Sequence, residues 1–199
     1  MKSDICRILR DGSGLSAIIK EVERCAAYSG VEGKQSLQLQ LLAEELVGML
    51  PELLRDCVGE FWVESSGKSF ELHVKALAAD MGIERRENLL AVSKSGKNAA
   101  AKGIMGKIRS VAESMLAQMA APEAAPIDCY ANSYMAMAYQ NNVWTLHNYI
   151  NQVEAAYKND DGKEEWDELE KSVIASAADD VIVGVKGRKA DIIIVKKFA

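Results

Sequence analysis

Two stretches of this chain alternate apolar and polar residues with a period of two, and each is followed or preceded by a partner across a short turn. In the first, "EFWVE" and "SFELHVKA" flank "SSGK", a Gly-containing turn between segments rich in aromatic and β-branched residues. In the second, "DVIVGVK" and "ADIIIVKKF" flank Gly187-Arg188. Alternation at period two puts successive side chains on opposite faces. Phe70, Leu72 and Val74 therefore point one way and Glu71, His73 and Lys75 the other, which makes His73 a residue of the wetter face. The β-branched density of the second pair predicts a central, well-buried hairpin.

Between and before these hairpins the period changes to that of a helix. "LSAIIKEVERCAAYSG" carries Leu15, Ile18, Ile19, Val22 and Ala26 on one face and stops at Gly30. "KQSLQLQLLAEELVGMLPELLRD" repeats the pattern through Leu39, Leu42, Leu46, Leu50 and Leu53, with Pro51 expected to kink or divide it. "IERRENLLAVS" reads as a short helix, and a longer one is expected from about Ile104 to Met119. The Pro- and Ala-rich "AAPEAAPIDC" reads as a linker. Beyond it, "NSYMAMAYQNNVWTLHNYINQVEAAY" is expected to be mostly helical, and Asp161 with Glu164 forms a capping box for "EEWDELEKSVIASAAD". Helices and antiparallel hairpins in this order predict an α+β fold: a two-layer sandwich with a mostly antiparallel or mixed sheet, one face covered by helices.

Composition narrows the function classes. The 199 residues carry 24 Lys and Arg against 29 Asp and Glu, a net charge of −5, which disfavours wholesale binding of nucleic acid or an anionic membrane. No apolar run has the length of a signal peptide or a bilayer span, so a cytoplasmic protein is expected. Cys6, Cys25, Cys57 and Cys129 are widely spaced, with no CxxC and no nearby pair of histidines, so free thiols are expected rather than zinc or disulfides. With His73 and His147 alone, a histidine-based triad has few candidates.

"KSGKNAAAKGIMGKI", from Lys94 to Ile108, concentrates Gly and Lys just ahead of a helix. Glycines allow close approach of backbone N–H groups to an anion, and a helix start presents unpaired donors. A P-loop is excluded: the positions that would need Gly and Ser/Thr around Gly106-Lys107 hold Ala101 and Ile108.

The order of an acidic helix, a hairpin, a Gly loop before a helix and a closing hairpin resembles the GHKL ATP-binding fold of histidine kinases, gyrase-type ATPases and anti-sigma-factor serine kinases. The resemblance treats residues 1–199 as one domain with 120–163 as linker and helical insertion. It implies ATP as ligand, with Glu44 or Glu45 in "LLAEELVGML" as the acid that polarises water or a substrate hydroxyl. The family's asparagine, four residues on, would hold magnesium; here those positions are Gly48 and Met49, so the metal ligand is missing. Asp80 and Gly82 stand where the family binds adenine, with Glu84 in place of its last glycine. Lys97, Asn98, Lys102, Gly103, Met105, Gly106 and Lys107 stand where its lid covers the phosphates.

The implied protein is a nucleotide-binding regulator, an ATPase or protein serine kinase with weak or no phosphoryl transfer. Its implied partner is a sigma or anti-anti-sigma-like regulator, and an oligomer is allowed. The alternative is a non-catalytic GHKL-like scaffold that uses Tyr134, Met135, Met137, Tyr139, Trp144 and Tyr149 as a contact surface for a protein partner.

Overall fold

A computed structural model of the chain describes residues 1–8, 14–48, 59–77, 103–119, 143–159, 162–186 and 189–199. In chain order its elements are β1 (Cys6–Ile8), α1 (Leu15–Tyr28), α2 (Lys34–Gly48), β2 (Gly59–Ser66), β3 (Ser69–Leu77), α3 (Gly103–Met119), β4 (Val143–Thr145), α4 (Leu146–Lys158), α5 (Lys163–Glu170), α6 (Val173–Ala177), β5 (Asp180–Lys186) and β6 (Lys189–Lys197). The strands form one six-stranded sheet in the order β1-β2-β3-β6-β5-β4, and every pairing among them is antiparallel. This is the two-layer α+β architecture that the alternation of hairpins and helices predicts.

Both expected strand pairs form. Ser66 pairs with Ser69 across the tight turn, and Lys186 pairs with Lys189 at the start of the second. The closing pair is central as expected: β6 is bonded to β3 on one side and β5 on the other. Alternate positions then bury Phe61 and Val63, Phe70, Leu72 and Val74, Val181 and Val183, and Ile192 and Ile194 in one core. Each of these side chains contributes roughly 1.5–3 kcal/mol by leaving water.

The helices cover that face. Helix α1 buries Ile18, Val22, Cys25 and Ala26, and α2 buries Leu39, Leu42, Ala43, Leu46 and Val47, the spacing of a single apolar stripe. Helix α3 adds Ile104, Ile108, Val111, Ala112, Met115 and Leu116 to the same core. The entry to α1 depends on Gly14, whose φ is 111° and where an added Cβ would lie 2.5 Å from the Arg7 carbonyl oxygen. No other residue type fits that close approach without moving β1.

Three features differ from the sequence-based reading. The N-terminal segment supplies a strand, β1, paired with β2, and Ser3 extends the pairing by donating its N–H to the Val63 carbonyl at 2.8 Å. Within the stretch expected to be mostly helical, Val143–Thr145 is an edge strand on β5. Thr145 ends it and caps α4, its hydroxyl oxygen accepting from the Asn148 N–H at 3.2 Å. Helix α5 starts after Gly162, and the Asp161 half of the expected capping box lies outside the described residues. The helix expected to run from Glu164 to Asp179 is two helices, because Ser172 accepts from the Ala175 N–H at 3.2 Å and starts α6 anew.

The expected kink at Pro51, the short helix over "IERRENLLAVS" and the Gly187-Arg188 turn lie outside the described residues. Among the described residues, no helix is long and apolar enough to cross a membrane.

Candidate functional site

The described part of the glycine-lysine stretch begins at Gly103, the first residue of α3. Gly103 has φ 72° with open space where a Cβ would be, a left-handed conformation that side chains other than Gly adopt only with strain. From there the helix turns alternate. Ile104 and Ile108 are buried, Met105 packs half-buried against the core, and Gly106 is half-buried. Lys107 points toward α4 and α5: its ammonium lies 5.4 Å from the ring centroid of Tyr149. Burial lowers its pKa, while Glu165 and Glu168 of α5 act to raise it.

Glu44 and Glu45 are exposed on α2, between the buried pairs Leu42-Ala43 and Leu46-Val47. Gly48 closes the described helix at one of the two positions where the resemblance would need an amide oxygen. Helix α6 touches both α2 and α3, so the acidic helix and the Gly103 helix flank the same short element. Asp80, Gly82, Lys97, Asn98 and Lys102 lie outside the described residues.

The aromatic contact surface assigned to the helical insertion does not survive at its described positions. Trp144 and Tyr149 are both 6% exposed, with ring centroids 5.9 Å apart, and they belong to the core. Tyr134, Met135, Met137 and Tyr139 lie outside the described residues.

The sheet face opposite the helices carries a second set of interacting groups. Trp62 pairs with His73 across β2 and β3, and their rings stack with centroids 4.8 Å apart and planes 4° from parallel. The indole N–H donates to Glu64 Oε1 at 2.8 Å, and Lys2 Nζ donates to the same oxygen at 2.9 Å while lying 4.8 Å from the Trp62 ring centroid. The hydrogen bond from Lys2, followed by that from Trp62, holds the Glu64 carboxyl below its ordinary pKa. His73 Nε2 sits 3.2 Å from Glu71 Oε2. Burial beneath Trp62 lowers the His73 pKa against the opposing pull of Glu64 and Glu71.

Ligand atoms of Glu64, Glu71 and His73 lie within 4.8 Å of one another, near enough to share a cation. Glu64 Oε1 already accepts from both Lys2 and Trp62, so this oxygen has two donors of its own. Sequence reading placed His73 on this face but missed its stacking. The signal was present in the hairpin, because a turn that pairs Ser66 with Ser69 also sets Glu64 against Glu71 and Trp62 against His73.

No family model matches the sequence, and neither a curated protein nor a solved structure matches it.

Proposed function

We propose that the chain is an ATP-binding regulatory module of the kind its GHKL resemblance implies, with phosphoryl transfer weak or absent. The observation that carries the reading is the opening of α3. Gly103 stands left-handed with free space over it, directly after a sequence segment that holds Lys94, Lys97 and Lys102. A helix start with accessible backbone donors and flanking lysines suits an anionic phosphate group. Glu44 and Glu45 face water on α2, where a polarising acid could meet substrate.

Weak turnover follows from the missing amide ligand. Gly48 offers no side-chain oxygen to a hard cation, which removes the main electrostatic support for a transferring phosphoryl group. A sigma or anti-anti-sigma-like regulator is the partner that goes with this reading.

Calorimetric titration of the whole chain with ATP and with ADP, with and without magnesium, tests it. Saturable binding that is lost in a folded Gly103→Val variant is the expected result. No heat at millimolar nucleotide would end the reading, and magnesium-dependent binding would require a metal ligand elsewhere, since Gly48 offers none.

A further inference from the structure

We infer that the sheet face opposite the described helices is the contact surface of a symmetric dimer of this chain, with strands facing strands across a two-fold axis along the seam between β3 and β6. This inference stands on the sheet alone and does not depend on nucleotide binding.

The register sorts that face into three rows. The first runs Arg7, Glu60, Lys75, Asp191, Gly184, Val143. The middle row runs Trp62, His73, Ile193, Ile182, Thr145. The third runs Glu64, Glu71, Val195, Asp180, with Lys2 bridged to Glu64. Among the described residues no helix packs here: the buried residues of all six helices join the core on the other side. Trp62, Ile182, Ile193 and Val195 are only half-buried; the last three adjoin on β5 and β6, and the stacked His73 ring on β3 links them to Trp62 on β2. A contiguous apolar stripe with a charged rim on both sides has the composition of an interface.

The charges choose the occupant and the axis. A two-fold axis parallel to the strands keeps each row opposite the same row of the second copy and exchanges β3 with β6. Lys75 then meets Asp191 of the other copy. Because Lys75 and Asp191 already pair within one chain at 3.7 Å, each about 40% exposed, two copies close a square of alternating charge. In the middle row, Trp62 comes over Ile182 and His73 over Ile193; in the third, Glu71 comes over Val195.

The one like-charged encounter is Glu64 with Asp180, and Lys2 already neutralises Glu64. An axis across the strands would set row one against row three, pairing Arg7 with Lys2 and Glu60 with Glu64. That arrangement sets Lys75 over Glu71 but is repulsive at two places, against one for the axis along the strands, so the charge pattern disfavours it. Closed two-fold contacts need this kind of self-complementarity, and aligned sheets pack face to face at about 10 Å.

Sedimentation velocity of the full chain over a wide concentration range tests the inference, with circular dichroism to confirm that each variant folds. The native chain should sediment as a concentration-dependent dimer. Lys75→Asp and Asp191→Lys should each weaken association by roughly tenfold or more, and an equimolar mixture of the two should restore it, because both contacts between the unlike copies then join opposite charges. Ile193→Lys should abolish the dimer; if that variant fails to fold, the charge exchange decides alone. A native chain that stays monomeric at the highest concentration overturns the inference. So does a dimer indifferent to Lys75→Asp, or a mixture of the two charge variants that remains monomeric.

Discussion

The indole of Trp62 lies flat against the imidazole of His73, one strand away on the face opposite the described helices. Stacking leaves the His73 side chain only 12% exposed, and this burial, against Glu64 and Glu71, favours the neutral ring. An unfolded histidine titrates near its ordinary value of about 6.5. The folded pKa is lower, so the unfolded chain binds more protons between the two values. The stability this residue contributes is therefore present above about pH 6.5 and is lost as the pH falls toward the folded value. Urea unfolding at about pH 8 and about pH 5 should show a larger drop for the native chain than for His73→Gln. Equal drops would mean that the stacked ring does not titrate as its surroundings require.

Trp144 and Tyr149 turn the start of α4 into a structural wedge. Replacing Trp144 with alanine removes a 6%-exposed indole from the core and should cost about 3–5 kcal/mol, read from chemical denaturation. A cost below about 0.5 kcal/mol would return this residue to the surface.

Gly14 and Gly103 are both left-handed but differ in their surroundings. At Gly14 a Cβ would fall 2.5 Å from the Arg7 carbonyl oxygen, whereas at Gly103 nothing lies within 4 Å. Gly14→Ala should therefore destabilise by the conformational strain, of order 1–3 kcal/mol, plus the clash. Gly103→Ala should show the strain alone. Thermal unfolding of both variants gives the comparison, and a smaller loss at Gly14 than at Gly103 would contradict it.

Cys25 is fully buried beneath α1, and burial, followed by the nearby Glu21 charge, raises its thiol pKa. The thiolate is the reactive form, so Cys25 should resist alkylation in the native chain and react only on unfolding. Peptide mapping after a timed exposure to iodoacetamide reads this directly. Rapid native labelling of Cys25 would show that the α1–sheet contact opens.

The two long hairpins were legible because seven to nine residues of alternation cannot be mistaken for a helix. Helices α1 and α2 were legible through their apolar stripes. Strands β1 and β4 were not, because "CRI" and "VWT" are three residues each, too short to display a period, and both sit at sheet edges. The α5–α6 break was hidden for a different reason: Leu169, Ile174 and Ala177 are all buried, so the apolar pattern runs on through the Ser172 cap.

At the candidate site, the sequence shows which residue types accumulate around Gly103 but not where they point. Lys107 illustrates this: it reads as one more lysine in a basic stretch, yet its direction is set by Tyr149, 42 positions away along the chain.

The position of β6 has a consequence for synthesis on the ribosome. It follows every other described element in the chain, yet it lies between β3 and β5. Until residues 189–197 have emerged, β3 and β5 each present an unpaired edge, and the sheet exists as two separate pieces. Hydrophobic strands waiting with open edges are templates for pairing with neighbouring chains. The edge of β3 thus stays open from residue 77 until β6 is made, whereas β5 ends just two residues before β6 begins, and insertion of one late strand converts both edges into a continuous sheet interior.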